Sequence, residues 1–153
     1  EIRLEALQTD PVSFGVTYEE ALSVPKLDFE RYIEEEYPGK FIIGAFVNEK
    51  LAGFCGFVQE DRIKTKHRGN IIQLFVKPEF RKQNIGKNLM IEIIKEAFKI
   101  PEIEQIGLSV VDGNNRAYKL YEELGFVQFG LHNKYFKDNG IYYGEHFMLL
   151  EKK

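Results

Sequence analysis

The residues able to do chemistry concentrate in two short segments. The first, VKPEFRKQNIGKNLM from Val76 to Met90, carries an apolar strand through a basic turn directly into an amphipathic helix. The first amides of a helix lack intrahelical partners and stand at the positive end of its dipole, so a phosphate placed there gains both hydrogen bonds and field. Arg81, Lys82 and Lys87 bring cationic side chains to the same place. The turn is not a nucleoside-triphosphate loop: Gly86 and Lys87 are followed by Asn88, and the earlier glycine which that pattern requires is Arg81. No strand-linked GxGxxG occurs either. Taken alone, a basic turn before a helix also fits a solvated cap.

The second segment runs from Asn114 to Phe126, NNRAYKLYEELGF. It reads as a capped helix in which Asn114 is the N-cap, Leu120 and Leu124 face the core, and Gly125 is the C-terminal stop. Together, in this order and at this separation, the two segments resemble the cofactor-side signatures of the GCN5-related N-acetyltransferases. The acyl-CoA pyrophosphate loop of that family has the pattern Arg or Gln, two residues, Gly, one residue, then Gly or Ala. Here it reads Arg81, Lys82, Gln83, Asn84, Ile85, Gly86. Asn84 replaces the usual glycine, and asparagine is the non-glycine residue that best tolerates a left-handed backbone. The second signature, Asn-x-x-Ala-x-x-Leu-Tyr-x-x-x-Gly-Phe, is matched at Asn114, Ala117, Leu120, Tyr121, Gly125 and Phe126.

The resemblance implies acetyl-CoA as co-substrate and direct acetyl transfer to a primary amine of a small molecule or amino acid. A protein N-terminus or lysine is the alternative acceptor, and a non-catalytic CoA sensor the alternative class. Implied cofactor contacts are Leu74, Phe75 and Val76 on a strand, Arg81 to Asn88 in the loop (Arg81, Lys82, Gln83, Asn84, Ile85, Gly86, Lys87, Asn88), and Asn114, Ala117 and Tyr121 on the second helix. Val76 would offer its amide to the oxyanion, Tyr121 a proton to the departing thiolate, and Asn114 a bond to the pantetheine arm or a water. A lysine-like amine, with a pKa near 10.4, must lose a proton before attack. The base for that step is not evident. Where many members of the family carry a glutamate, the strand IIQLFV offers only Gln73, which leaves Glu60, Asp61, His132, His146, Glu19, Glu20 or ordered water. No metal is expected, because the histidine spacing fits no zinc motif. The three serines, none in GxSxG, argue against a hydrolase triad.

Around these segments the chain reads as one domain spanning residues 1–153, a length that can bury a single substantial core. Hydrophobic residues at 44% and 13 phenylalanines exclude a disordered chain. A net charge of −3 and a pI near 5.7 argue against nucleic acid as the main partner. No apolar run reaches the roughly 20 residues of a membrane span, and a single cysteine permits no internal disulfide, so a cytoplasmic protein, monomer or homodimer, is expected. Cys55, within LAGFCGF, reads as a buried residue of a central strand.

The elements that must position the site are expected as a strand near residues 2 to 7 and helical material over 10–24 and 28–37. An antiparallel hairpin turning at Asn48, Glu49 and Lys50 comes next, then IIQLFV. The central helix over 85–99 has Ile85, Leu89, Ile93 and Ala97 on one stripe. QIGLSVV, the Asn114 helix and a hairpin around Asp138, Asn139 and Gly140 complete the chain. The fold class is α/β: a mixed, mostly antiparallel sheet of about seven strands flanked by about four helices. The resemblance implies that IIQLFV and QIGLSVV are parallel neighbours which splay into an acyl-CoA cleft, and a helical crossover is what such a pair requires. The acceptor side is expected to be walled by Glu19, Glu20, Glu30, Glu34, Glu35 and Glu36, favouring a cationic or zwitterionic amine.

Overall fold

A computed structural model describes residues 1–153. Its strands are β1 (Lys40–Val47), β2 (Lys50–Gln59), β3 (Arg68–Val76), β4 (Gln105–Val111), β5 (Val127–Asp138) and β6 (Ile141–Glu151), joined in one sheet in the order β1-β2-β3-β4-β6-β5. The helices are α1 (Ile2–Thr9), α2 (Tyr18–Ser23), α3 (Asp28–Glu34), α4 (Ile85–Lys99) and α5 (Asn115–Glu123), with single 3-10 turns at Pro11–Ser13 and Pro78–Phe80. No helix is long and apolar enough to cross a membrane.

The strand expected near residues 2 to 7 is instead α1, which leaves six strands rather than seven and raises the helices from four to five. Ile2, Leu4 and Ala6 mimic a strand's alternation, but Leu, Glu, Ala, Gln and Arg all favour helix. Ala6 and Leu7 are both buried, as neighbours on a helical face can be. The helix expected over 10–24 is broken: Pro11 opens only one 3-10 turn, and α2 begins afresh at a capping box in which Thr17 and Glu20 bond each other's backbone amides.

The β1–β2 connection is a two-residue turn, with Asn48 and Glu49 at φ 47° and 64°, so Lys50 already belongs to β2. All neighbouring strands are antiparallel except β3 and β4. That parallel pair touches only where Arg68–Asn70 meets Gln105–Gly107, and beyond it the strands part. A bulge on β3 accompanies the separation. Phe54 pairs with Phe75 but Gly56 pairs with Ile72, leaving both Gln73 and Leu74 opposite Cys55. An extra residue bends its strand, and Gln73 holds a left-handed φ of 62° to make that bend.

Each face of the sheet has its own cover. The stripe Ile85, Leu89, Ile93 and Ala97 of α4 is buried across β1, β2 and β3, and Tyr121 of α5 joins the same core with Cys55, Phe57, Ile106 and Met148. On the opposite face, Ala6 of α1 packs with Phe54 and Phe75, and the Phe29 ring of α3 lies so close to Gly56 that a Cβ there would stand 2.2 Å from it.

Candidate active site

The turn after β3 and the first turns of α4 and α5 enclose a cleft of about 530 Å³. Leu74, Phe75 and Val76 line its strand side, Arg81 and Lys82 its turn, Asn84, Ile85, Gly86 and Lys87 its α4 side, and Asn114 and Ala117 its α5 side. Two of the sequence-derived candidates, Gln83 and Asn88, are exposed and stand off this wall, and Tyr121 is also absent from it because it is buried in the core.

Backbone geometry makes the cleft a donor surface. Asn84 sits at φ 59° as the N-cap of α4, in the left-handed conformation expected of a glycine substitute. The first amide of α4 with a partner inside the helix is that of Asn88, bonded to the Asn84 carbonyl at 2.9 Å, so those of Ile85, Gly86 and Lys87 have none. Gly86 has no left-handed φ, and a Cβ added to it would meet nothing nearer than Val76 Cγ2 at 3.6 Å. The fold therefore has no need of glycine there; what the missing side chain leaves is open cleft. On the strand side, the Lys77 amide bonds to the Ala52 carbonyl at 2.9 Å, towards β2. Successive amides in a strand point to alternate edges, so that of Val76 faces the edge from which β4 has parted.

The cations are not equally free. Arg81 donates from Nε to the Val76 carbonyl at 3.0 Å and from Nη2 to Asp10 at 2.5 Å, which splints the turn to β3 and to the end of α1 and matches its charge. Lys87 reaches Glu123 of α5 at 3.3 Å on an exposed face, and Lys82 has no ion pair. The Asn114 side-chain oxygen Oδ1 accepts the Ala117 amide at 3.2 Å, capping α5.

Tyr121 is 7% exposed. Burial, followed by the charges of Cys55 and Glu145, pushes its phenol above the ordinary tyrosine value and keeps it protonated. The Cys55 thiol is pushed up to about 12 by burial, and its Sγ lies 3.7 Å from the Leu89 carbonyl oxygen, so it is a core residue and not a thiolate nucleophile. No group of three or more His, Cys, Asp or Glu side chains is placed to hold a metal.

Among the possible bases, Glu60 engages Asn70 and Arg68 at the closed end of the β3–β4 pair, and Asp61 pairs with Lys40. Glu20 serves the α2 cap, Glu19 is exposed on α2, and His132 is an exposed β5 residue stacked edge-on against Tyr135. Both ring nitrogens of His146 are bonded, to Gln128 and to Asp112. The group missing from the sequence-derived set is Glu145. It lies on β6 opposite Val111, at the end of β4 that has parted from β3, and is only 6% exposed. Its Oε2 is sealed from solvent without a partner. Burial raises the carboxyl above the ordinary glutamate value, against the opposing influence of Ser109 and His146. A signal was available: Tyr143, Glu145, Phe147 and Leu149 alternate along β6, which sets one carboxylate in an otherwise apolar row.

A second cavity, about 760 Å³, lies among α1, α2, α3 and the sheet, with Gln73 and Phe54 in its wall. The bulge thus sends its two residues to different spaces, Leu74 to the cleft and Gln73 to this cavity. Of the six glutamates expected to wall the acceptor side, only Glu20 and Glu30 line it, and both carboxylates cap helix N-termini.

Comparison with known proteins agrees with this arrangement. A family model described as the acetyltransferase (GNAT) family matches residues 5–126. A Bacillus subtilis protein carrying the name ribosomal protein bS18 alanine N-acetyltransferase is 32% identical over 92 residues, 59% of this chain and 56% of that protein. The spermidine N(1)-acetyltransferase of Vibrio cholerae is 27% identical over 114 residues, 74% of this chain and 64% of that one. The chain thus spans less than two thirds of either relative's length. An acetyltransferase of the GNAT family from Streptococcus pneumoniae superposes with a TM-score of 0.84 at 20% identity, covering 98% of this chain and 89% of that one. The yncA protein of Salmonella typhimurium, solved with its cofactor acetyl-CoA, superposes at 0.79 with 16% identity, covering 98% and 84%. With the family model extending across both signature segments and both of the parted strands, the chain belongs to the GNAT family of acetyltransferases.

Proposed function

We propose that this chain is an acetyl-CoA-dependent N-acetyltransferase acting directly on a primary amine of a small molecule or amino acid. The observation that carries the reading is the cleft in which the open amides of α4 and the freed amide edge of β3 meet across parted strands. A diphosphate suits the helix end, and an extended amide-bearing arm suits the strand edge. Acetyl-CoA held there supplies an activated thioester.

The chain's own groups divide the remaining work. The amides of Ile85, Gly86 and Lys87, with Lys82, bind the diphosphate. Val76 donates its amide to the carbonyl oxygen as charge develops on it. Tyr121, one helical turn beyond Ala117 of the cleft wall and kept protonated by burial, is the group assigned to hold the proton for the leaving sulfur. Glu145, on the rim of the parted strands, takes the proton from the incoming amine, and a carboxyl whose pKa is raised towards neutrality is the better base for that step. A base supplied by β6 answers the lack of a carboxylate in β3, the lack that favours a non-catalytic sensor.

The test is thiol release from acetyl-CoA across a panel of free amino acids, polyamines and short peptides. Acetylation of one or more small amines is the expected result. Release confined to peptides would move the acceptor to protein termini. Cofactor binding without release in any mixture would overturn the enzyme reading.

A further inference from the structure

Arg3 is the one unsatisfied cation of the second cavity. The cavity's only other cationic side chain, Lys26, is bonded to Glu34. Arg3 takes part in no ion pair, its Nη1 is sealed from solvent without a hydrogen-bond partner, and its guanidinium stacks on the Phe14 ring at 4.5 Å from the centroid. Partial burial lowers its pKa. Four acids share the wall, and none forms an ion pair with Arg3: Glu20 and Glu30 cap helices, Asp28 stands 4.0 Å from Arg31, and Glu1 is exposed. Much of the remaining wall is apolar, including Val16, Val24, Ile33, Ile42 and Phe54. A half-buried guanidinium with no ion-pair partner is available to an anion, and its planar fork matches a carboxylate.

The chamber meets the cleft wall at the bulge of β3, where Gln73 lines the chamber and the next residue, Leu74, lines the cleft. An acceptor anchored at α1 reaches the split between β3 and β4 only by carrying its amine past Gln73. We infer that Arg3 anchors the carboxylate of the acceptor, and that the acceptor is an amino acid with an apolar side chain housed in the second cavity. The inference rests on the acetyl-transfer reading for the amine but not for the carboxylate, and the two are tested apart.

The first arm compares kcat/KM for matched pairs, leucine against 3-methylbutylamine and phenylalanine against 2-phenylethylamine, using the intact chain and acetyl-CoA. A charged hydrogen bond corresponds to roughly 10-fold to 100-fold in favour of the amino acid. Arg3→Gln should bring that ratio to near unity with KM for acetyl-CoA unchanged. Arg3→Lys, which keeps the charge and serves if the glutamine variant does not fold, should lower the ratio several-fold, since one ammonium replaces the fork. The second arm needs no turnover: 3-phenylpropionate, which has no amine, should raise the thermal midpoint of the wild type and not that of Arg3→Gln. A positive second arm with no thiol release from any amine would sink acetyl transfer and leave the carboxylate site standing. Equal turnover of amino acid and decarboxylated amine by the wild type, or a 3-phenylpropionate shift that survives in Arg3→Gln, would overturn the assignment of Arg3.

Discussion

Replacing Gly86 separates what the fold requires from what a ligand requires. Its φ is not left-handed and a Cβ would rest 3.6 Å from Val76 Cγ2, so Gly86→Ala should fold normally and gain up to about 1 kcal/mol from helix propensity. Gly86→Asp should also fold, because an acidic residue in the first turn of a helix is favoured by the dipole. Acetyl-CoA at 100 times its Kd should stabilise the wild type by about 2.7 kcal/mol, roughly 5–11 °C in thermal midpoint for a domain of this size. An aspartate carboxylate about 4 Å from one phosphate charge opposes binding by about 4 kcal/mol at an effective dielectric of 20. That is nearly three decades in Kd, enough to erase the shift at the same ligand concentration. The assay is differential scanning fluorimetry of wild type, alanine and aspartate variants with and without acetyl-CoA. The reasoning fails if Gly86→Asp keeps the full ligand shift, and it also fails if Gly86→Ala is unstable without ligand.

Three further outcomes are expected. Tyr121→Phe should retain acetyl-CoA binding while kcat at saturating amine falls roughly 100-fold to 10,000-fold, and a value within about twofold of wild type would remove Tyr121 as the acid. For Glu145 the folded pKa is raised, so its contribution to stability is complete below the unfolded value near 4.3 and is lost as pH climbs through the folded value. Glu145→Gln should therefore raise the thermal midpoint at pH 7 by an amount that vanishes at pH 3.5 or so, while removing the rising acidic limb of kcat/KM; an unchanged limb would show that the base lies elsewhere. Gly69→Ala would set a Cβ 2.1 Å from the buried Phe57 ring, beside the short parallel pairing, and chemical denaturation should find it destabilised by about 1–3 kcal/mol or more.

Much of this architecture can be read from the residues alone, and the exceptions have physical causes. The stripe of α4, the cap at Asn114, the left-handed Asn84 and the turn at Asn139 and Gly140 are local, each specified within a few residues by propensity or capping. The α1 segment forms a helix against its strand-like alternation because three alternating apolar residues weigh little against helix formers that also find a packing face. Glu145 is hidden in the sequence for a different reason. Its partner on β4, Val111, lies more than thirty residues upstream, so neither its burial nor its orphaned oxygen leaves a trace in the local sequence beyond a single acid in an apolar row. Arg81 is the converse case. Its charge is obvious in sequence, whereas its commitment to Asp10 and the Val76 carbonyl appears only once α1 is folded against the turn.

The bulge on β3 acts as a parity switch for everything after it. Side chains in a strand alternate between faces, and inserting one residue opposite Cys55 reverses which of Phe75 and Val76 looks to which side relative to an unbulged strand. Removing a single residue between Ile72 and Phe75 would not simply shorten a loop. It would let β3 resume regular pairing with β2 with Phe75 still opposite Phe54, take either Gln73 from the second cavity or Leu74 from the cleft, and draw its far end back alongside β4, closing the gap between the strands. A deletion in the turn at Arg62 to His67, by contrast, leaves that alternation untouched. Length variation in this chain should therefore be tolerated on one side of Arg68 and forbidden a few residues beyond it, and a deletion scan through residues 61–76 read by acetyl-CoA thermal shift would map where tolerance ends.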